Sequence, residues 1–421
     1  MSEWKETTLE EVIDIQNGYA FKSEDFDAEG IPVIKIKNIA SGKLLLDDVQ
    51  FYSKPLIGLD KFIVSKNDIL IAMTGSHVTQ ISSAVGKVTK YDSTQKSLLN
   101  QRVGKIYSVN INKLNNDFLY YFLIQPTTQY QLGLKASGSA NQANISPSNI
   151  KELPILLPSI KEQKQIIYVL TCLDAKIENL RRQNETLEAI AQTLFKHWFI
   201  DFEFPNADGK PYKSSGGGMW RSAIGDIPEG WQAGNLGDVV DVNSQSIDKN
   251  YPHKVIEYVD ISSVGIGISE NTTQYKLSEA PSRARRLVKH GDVIWSGVRP
   301  NRKSYLFICN PIDNLVVSTG FIVLSPKQIP SSYLYAWVTT SMFVDYLTLN
   351  ASGSAYPAVK AEHFEIAEII LPSKAILGMF HSIVDPMRIK THENSLQIQT
   401  LTKTRDALLP KLMSGQLRVK E

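Results

Sequence analysis

Arginine and amide side chains gather in two short loops, each of which follows an apolar stretch of the chain. These loops are GVRPNRKSY (297–305) after GDVIWS (291–296), and TGSHVTQISS (74–83) after NDILIAM (67–73). Arginine can pair bidentately with guanine, and asparagine or glutamine can pair with adenine. Both loops therefore carry side chains suited to reading base edges in DNA. The candidates are Thr74, Ser76, His77, Gln80, Arg299, Asn301, Arg302 and Lys303.

A second group of cations suits the phosphate backbone, which positions a protein on DNA without identifying its sequence. The group consists of Lys35, Lys37, Arg283, Arg285 and Arg286. Asp292 is the only acidic residue between positions 283 and 303. The whole chain has a net charge of only +2, so the local distribution is what indicates a nucleic-acid partner. A solvated basic surface with ordinary polar loops would produce the same pattern.

No arrangement of catalytic residues accompanies these loops. The sequence lacks a GxxxxGK(S/T) phosphate loop, an HExxH zinc motif and the Asn/Asp-Pro-Pro-aromatic element of adenine methyltransferases. The Gly-rich stretch SSGGGMW (214–220) lies in a segment rich in Pro, Gly and Ser (205–230), which predicts a linker. We therefore predict no catalytic residue, no metal site and no cofactor on this chain, and we favour recognition over catalysis.

The composition is that of a chain that buries a sizeable core. Of its 421 residues, 43% are hydrophobic and 21% are charged. No apolar run reaches the ~18 residues that a membrane helix needs, and the polar start MSEWKETTLEEV lacks the character of a signal peptide. Cys172 and Cys309 are the only cysteines. These features predict a reduced, cytoplasmic protein with no membrane contact.

The sequence contains an internal duplication. ASGSA occurs at 136–140 and again at 351–355. Further matches stay in the same order: VIKIKNI (33–39) with VIEYVDI (255–261), NDILIA (67–72) with GDVIWS, ELPILLPS (152–159) with AEIILPS (367–373), and QNETLEAIAQTLF (183–195) with QIQTLTKTRDALL (397–409). Chance matches would not stay collinear. Each copy should fold as short strands followed by a long helix, with ASGSA forming a tight turn before the last strand.

Both copies end in a heptad pattern that is typical of a coiled coil. Pro158 ends the extended chain before the first helix, and Ser159 can cap it. The alternative is one amphipathic helix packed on a globular core. The seam residues are Ile166, Leu170, Leu173, Ile177, Leu180, Asn184, Leu187 and Leu194 in the first copy, and Asn394, Ile398, Leu401, Leu408 and Leu412 in the second.

An antiparallel pairing places Asn184 opposite Asn394, and it also matches most of the apolar seam residues. Two buried asparagines that bind each other are a known device for fixing the register of a coiled coil. A helix of about 40 residues spans roughly 60 Å, so the pair would act as a spacer between two similar domains. Pro386 should kink or delay the second helix.

The sequence resembles the specificity subunits of type I restriction–modification enzymes over essentially its whole length. The resemblance is carried by NDILIAMTGS, by the repeat of domain plus helix, and by residues 145–177. The family pattern there is matched by Asn144, Ile145, Ile150, Pro154, Leu157-Pro158 and Glu162-Gln163. The second copy departs from it, because Ala375-Ile376-Leu377 stands where the first has Lys161-Glu162-Gln163.

The resemblance implies an α+β fold in which two similar α/β target-recognition domains are joined by two long helices. These helices would form an antiparallel coiled coil within a pseudo-twofold internal repeat. Each domain would read one half of a bipartite site in double-stranded DNA. The subunit would have no catalytic activity. It would bind two methyltransferase subunits carrying S-adenosylmethionine, and motor-nuclease restriction subunits that use ATP and Mg²⁺.

The expected division of the chain has four parts. Residues 1–158 form the first recognition domain, 159–202 the first helical spacer, 203–372 a linker with the second recognition domain, and 373–421 the second helical spacer. The alternative function is a two-domain protein-interaction scaffold that does not bind DNA in a sequence-specific way. A stand-alone nuclease or methyltransferase is disfavoured by the missing motifs.

Overall fold

The computed structural model describes residues 4–40, 42–76, 85–139, 142–269, 272–353 and 356–419. The chain forms two compact units. Unit 1 is Met1–Glu178 together with Gln399–Glu421, and unit 2 is Asn179–Ile398. Each unit therefore contains one mixed α/β module and a part of each long helix.

The module of unit 1 is built from short strands. They are β1 (Lys5–Thr8), β2 (Ile13–Asn17), β3 (Phe26–Asp27), β4 (Ile31–Ile34), β5 (Ile39–Ala40), β6 (Lys43–Leu44), β7 (Gln50–Tyr52), β8 (Ile63–Val64), β9 (Ile69–Ala72), β10 (Thr74–Gly75), β11 (Val88–Lys90), β12 (Ser97–Leu99), β13 (Val103–Ser108), β14 (Ser137–Ser139), β15 (Gln142–Asn144) and β16 (Pro154–Leu157). One sheet has the order β11-β9-β13-β2, and a second has the order β3-β7-β4-β12-β8. Every residue of β9 is buried, as expected for an apolar run at the centre of a sheet.

The module of unit 2 repeats this plan. Its strands are β17 (Met219–Ser222), β18 (Gly225–Pro228), β19 (Gln232–Asn235), β20 (Val240–Val242), β21 (Val255–Val259), β22 (Thr273–Lys276), β23 (Ala284–Leu287), β24 (Val293–Ser296), β25 (Tyr305–Phe307), β26 (Leu315–Ser318), β27 (Phe321–Pro326) and β28 (Glu368–Leu371). The sheet β25-β24-β27-β20 corresponds strand by strand to β11-β9-β13-β2, and β22-β21-β26-β23 corresponds to β7-β4-β12-β8.

Pairing details make the duplication explicit. In each unit two central strands run parallel, β12 with β4 and β26 with β21, among otherwise antiparallel neighbours. β1 pairs with β16, the last strand of unit 1, and its counterpart β19 pairs with β28, the last strand of unit 2, so that Lys5 faces Leu157 and Gln232 faces Leu371. The internal repeat predicted from collinear matches is therefore present in the strand topology.

The helices follow the same repeat. They are α1 (Asn116–Leu123), α2 (Pro126–Leu134), α3 (Pro147–Lys151) and α4 (Ile160–Phe195), then α5 (Leu236–Val239), α6 (Ser331–Val338), α7 (Ser341–Leu349), α8 (Ala361–Glu365) and α9 (Lys374–Met413). A π-helical turn, Lys196–Ile200, continues α4. Ser159 caps α4, since its hydroxyl accepts a hydrogen bond from the Glu162 amide at 3.2 Å.

The long helices pack antiparallel, as expected for this fold class. In unit 1, Ile166 and Leu170 near the start of α4 share a core with Leu412 near the end of α9. In unit 2, Phe195 at the end of α4 lies 6.0 Å, between ring centroids, from Phe380 near the start of α9. All thirteen predicted seam residues are buried or half-buried.

The two asparagines meet, as the heptad register requires. Asn394 donates from Nδ2 to Asn184 Oδ1 at 2.9 Å. Asn184 in turn donates to the Thr391 carbonyl and to the Ser395 hydroxyl, both at 3.3 Å. Asn184 of α4 is therefore hydrogen-bonded to three residues of α9, namely Thr391, Asn394 and Ser395. These hydrogen bonds fix one alignment of the two helices.

Pro386 is expected to kink the second helix or to delay its start, and the delayed start is wrong. Helix α9 begins at Lys374 and runs through Pro386 without a break. The proline ring is exposed, whereas Phe380 and Val384 on the adjoining turns are fully buried. Packing of this apolar face outweighs the lost hydrogen bond, and water can reach the freed carbonyl on the exposed side.

The segment 205–230, predicted to be a linker, is folded. It contains the hairpin β17–β18, and Tyr212 donates a hydrogen bond from its hydroxyl to the Gly218 carbonyl at 2.9 Å. Phe204 stacks between Tyr212 and Trp231, with ring centroids 4.5 and 4.7 Å apart. The Gly and Ser content misled the prediction, because a few aromatic residues supply the core that holds this segment.

The departure of the second copy from the family pattern has a physical explanation. In unit 1, Gln163 is fully buried, accepts a hydrogen bond from the Asn115 amide at 2.9 Å and donates to the Lys113 carbonyl at 2.8 Å. It thereby fastens the start of α1 to α4. In unit 2, Ile376 and Leu377 stand at the start of α9 and join the apolar core instead. Polar anchoring in one copy is replaced by apolar packing in the other.

Candidate DNA interface

The two candidate loops leave the same place in each module. The chain passes from β9 into β10 in unit 1 and from β24 into residues 297–303 in unit 2. In unit 1, Thr74 pairs with Asn144, which also pairs with Ser137. In unit 2, Val298 pairs with Ala358, which also pairs with Ser352. Each loop is thus tied at its base to the described part of an ASGSA segment.

The prediction that ASGSA forms a turn is wrong for unit 1, where Ser137–Ser139 is a strand. Gly138 at its centre has φ +122°, and an added Cβ would lie 2.2 Å from the Gln142 carbonyl oxygen. In unit 2, Gly353 has φ +105°. The motif therefore recurs because a glycine is needed where two backbones approach closely beside the loop.

Replacing Gly138 with alanine is expected to destabilise unit 1 by about 1–3 kcal/mol, because the new side chain meets backbone in a strained conformation. Gly378 offers a matched control of opposite sign. It lies within α9 with open space around its Cα, so alanine there should stabilise the chain by about 0.5–1 kcal/mol. Thermal melting of both full-length variants checks the pair. A Gly138 variant that melts no lower than the wild type contradicts the close approach.

The loop of unit 2 has an uncommon backbone. Arg299 and Lys303 both adopt left-handed conformations, with φ of +52° and +56°, on either side of the short turn Pro300–Arg302. Neither is glycine, so each costs about 1–2 kcal/mol. Strain of this kind persists where surrounding contacts hold it, and it clusters at functional sites. Asn301, Arg302 and Lys303 are exposed on this turn.

Tyr356 contacts the loop through Arg299. The Arg299 guanidinium carbon lies 4.4 Å from the centroid of the Tyr356 ring, which is 67% exposed. The Arg299 amide also donates to the Pro357 carbonyl at 2.6 Å. Sequence reasoning missed Tyr356, although an aromatic residue directly after the second ASGSA was a usable signal. The arrangement presents an arginine and an aromatic face together at the surface.

The arginines in and directly before β23 divide into two kinds. Arg283 and Arg285 are exposed, and so are suited to phosphates. Arg286 is half-buried and donates from Nη1 to the Asn243 carbonyl at 3.4 Å. Burial lowers the pKa of the Arg286 guanidinium. This side chain helps hold the chain beside β23, so it is placed for packing rather than for a ligand.

The lysines of unit 1 divide in the same way. Lys35 is half-buried, with its ammonium 4.0 Å from the Phe26 ring centroid, and it donates to Gln50. Burial, followed by the charge of Lys37, lowers the pKa of Lys35. Lys37 is exposed and paired with Asp48. Exposed ion pairs contribute little, so a phosphate could replace that carboxylate at small cost.

The remaining candidates of unit 1 are placed unevenly. Thr74 is buried and donates from its hydroxyl to Asn144 Oδ1 at 2.7 Å, so it serves the framework at the base of the loop. Ser76 is half-buried at the last described position before the loop. His77 and Gln80 lie outside the described residues.

One Ser-His-Asp group in unit 2 merits comparison with a hydrolase triad. Ser332 Oγ lies 3.0 Å from His381 Nδ1, and Asp385 Oδ1 lies 3.9 Å from the same nitrogen. A triad needs serine and aspartate at opposite ring nitrogens, and an accessible serine, whereas Ser332 is fully buried. The group therefore lacks the geometry for proton relay.

In the described part of the chain, no three His, Cys, Asp or Glu side chains come together in a way that could hold a metal ion. Among the helices described there, none combines the length and the apolar character that crossing a membrane requires.

Comparison with known proteins places the chain in a family. Residues 1–189 and 228–396 match the family described as Type I restriction modification DNA specificity domain. The type I restriction enzyme MjaIX specificity subunit of Methanocaldococcus jannaschii is 30% identical over 317 residues, covering 73% of this chain and 70% of that protein. The HindI specificity subunit of Haemophilus influenzae is 25% identical over 477 aligned positions, covering 99% of this chain and 100% of that protein.

The fold is also that of a solved structure. The crystal structure of the type I restriction–modification S subunit from M. genitalium matches with a TM-score of 0.59 at 18% identity, covering 97% of this chain and 96% of that chain. With the duplicated modules and the paired helices, these matches show that the chain belongs to the family of type I restriction–modification specificity subunits.

Proposed function

We propose that this chain is the non-catalytic subunit that selects the DNA target of a type I restriction–modification complex. Each α/β module reads one half of a bipartite site in double-stranded DNA, and the paired helices set the spacing between the halves. The observation that carries the proposal is that the two modules share the same strand framework but differ in the sequence of the loop that it holds. The same strand and the same ASGSA pairing hold TGS in one unit and VRPNRK in the other.

Within unit 2, the segment that reads the bases is the turn Pro300–Arg302, which lies between Arg299 and Lys303. Their left-handed backbones and the Tyr356 contact hold the turn in one shape before DNA arrives. Such preorganisation reduces the ordering cost of binding. Arg302 and Asn301 supply the bidentate groups that distinguish guanine and adenine, and Arg283 and Arg285 supply phosphate contacts.

The finer assignments follow from the family and complete the proposal. Two methyltransferase subunits dock on the helical parts, 159–202 and 373–421, and carry S-adenosylmethionine. Motor-nuclease subunits supply restriction with ATP and Mg²⁺. The recognition domains are 1–158 and the second part of 203–372, and the complex works in the cytoplasm on chromosomal and incoming DNA.

Selection from a random pool of duplexes tests DNA recognition directly. The full-length chain with its methyltransferase partner should enrich a motif of two short blocks separated by unspecified bases, and its affinity should fall steeply with salt. Sequencing the modified bases of the host should give the same motif. A protein-interaction scaffold would enrich no motif, and that result would reject the proposal.

Exchange of one module tests the division of labour. Replacing residues 1–158 with the corresponding part of a relative should change the bases in one block and leave the other block and the spacer unchanged, because each module reads its own half. The selection experiment above is the measurement, and the unexchanged chain is the control. Altered bases in both blocks would contradict separate reading.

A further inference from the structure

Among the described residues, the ion pairs Asp174–Arg405 and Glu188–Arg388 join the long helices with the acid on α4 and the base on α9. In unit 1, Arg405 donates from Nη1 to Asp174 Oδ1 at 2.9 Å. In unit 2, Arg388 donates to Glu188. The Arg388 side chain is only 7% exposed, and its guanidinium lies 4.0 Å from the Tyr335 ring centroid. Nothing in the duplication itself requires the acid of both pairs to lie on the same helix.

The internal repeat makes a second pairing of the helices conceivable, because the residues of α9 correspond to residues of α4. The identical residues Leu187 and Leu194 align with Leu401 and Leu408. On the same alignment, Arg388 corresponds to Asp174 and Asn394 corresponds to Leu180. A second copy of α4 could therefore lie where α9 lies, with the seam leucines still matched.

That homotypic pairing brings like charges together. With a second copy of α4 in place of α9, Glu188 faces the Asp174 of that copy instead of Arg388. Asn184 faces Leu180 in place of Asn394, so the hydrogen bond at 2.9 Å is lost. A carboxylate pair and an unmatched amide at a helix seam both disfavour association.

Pairing of two copies of α9 is also unfavourable. On the same alignment, Arg388 of one copy faces Arg405 of the other, where each had faced a carboxylate. Asn394, which is fully buried, then faces Ile398 instead of Asn184. A buried arginine beside a second arginine is worse than one without a partner.

We propose that these charges and amides make the helix pairing heterotypic. Helix α4 accepts α9 and rejects a second copy of itself, and α9 does likewise. Every assembled pair of helices then joins one module of each kind, so a target with two unlike halves is selected over a symmetric one. The interface rests on contacts within each compact unit and does not depend on DNA binding.

Full-length chains with altered helices test the selection. One variant, Arg388→Glu with Arg405→Glu, carries acids on both helices, and the other, Asp174→Arg with Glu188→Arg, carries bases on both. Each alone should melt below the wild type. Co-expressed with different tags, they should co-purify as a 1:1 dimer that exchanges helices, roughly tenfold more than two differently tagged wild-type chains.

The chain with all four substitutions is the matched control, because each ion pair is reversed but complementary, and it should melt near the wild type without dimerising. If the control does not fold, the test is repeated with substitutions at the more exposed pair alone, whose side chains are 32% (Asp174) and 25% (Arg405) exposed. The three chains are then Arg405→Glu, Asp174→Arg and the double variant. Unchanged melting of the separate variants overturns the proposal. The proposal is also overturned if the two variants, when mixed, co-purify no better than two wild-type chains.

Discussion

Replacing Glu188 with alanine is expected to lower the free energy of unfolding of unit 2 by about 3–5 kcal/mol, because it leaves a charged arginine buried without its partner. The Arg388 side chain is only 7% exposed, so the unpaired guanidinium has little access to water that could replace the lost hydrogen bond. The Tyr335 ring retains a cation–π contact at 4.0 Å. That contact contributes about 2 kcal/mol when desolvated and cannot replace a carboxylate.

Urea unfolding of the full-length chain, followed by tryptophan fluorescence, measures this effect. The signal reports mainly on unit 2, because five of the six tryptophans lie between positions 179 and 398. Arg221→Ala is the matched control. The Arg221–Asp226 pair is 3.3 Å apart with side chains 81% and 61% exposed, so its loss should cost no more than about 1 kcal/mol.

A double substitution separates the lost partner from the lost volume. Glu188→Leu with Arg388→Met removes both charges and keeps apolar bulk, so it should recover most of the stability that Glu188→Ala loses. Equal losses for Glu188→Ala and Arg221→Ala would contradict the assignment of a buried, paired charge. A double variant as unstable as the single one would attribute the loss to packing.

The sequence predicts best where one residue type can be satisfied in only one way. Leucines every seven residues are buried most readily along a helix seam, and two asparagines on that seam can donate and accept hydrogen bonds when they lie opposite each other. The heptads therefore predict both the helices and their register before any contact is known. The collinear matches likewise predict two modules with the same strand order.

Prediction fails where tertiary contacts override local preference. Pro386 is a helix breaker by type, yet its ring faces outward while Phe380 and Val384 bury the opposite face of the helix. The 205–230 segment is rich in loop-forming residues, yet the stack of Phe204 on Trp231 folds it. In both cases a few buried apolar side chains decide the structure, and no short-range pattern reveals what they will meet.

The candidate site is predicted only in part for a related reason. Composition identifies the basic loops, but it does not separate exposed arginines such as Arg283 from packed ones such as Arg286. Arg286 lies in β23 and Arg283 directly precedes it, and a bulge between Ala284 and Arg286 interrupts the regular alternation of side chains along the strand. The role of Tyr356 depends on the pairing of Val298 with Ala358, which brings distant parts of the chain together.

Arg302→Ala is expected to weaken binding to the selected bipartite duplex by about 1–3 kcal/mol, roughly 5- to 150-fold, and to relax base preference in one block only. Arg302 is exposed on a turn whose backbone lies between two left-handed residues, so its guanidinium is accessible to a base edge. Lys37→Ala should act differently. As a phosphate contact, it should weaken all sequences alike and reduce the salt slope by about 1.

Fluorescence titration with the selected duplex, and with duplexes altered in each block, distinguishes these outcomes, and Arg221→Ala serves as the control for a lost surface charge. If Arg302→Ala weakens every duplex equally, the residue contacts phosphate and the turn is not the reader. If it relaxes both blocks, the two modules do not read separately. Loss confined to one block is the result that only a preorganised base-reading turn in unit 2 explains, because a phosphate contact carries no sequence information.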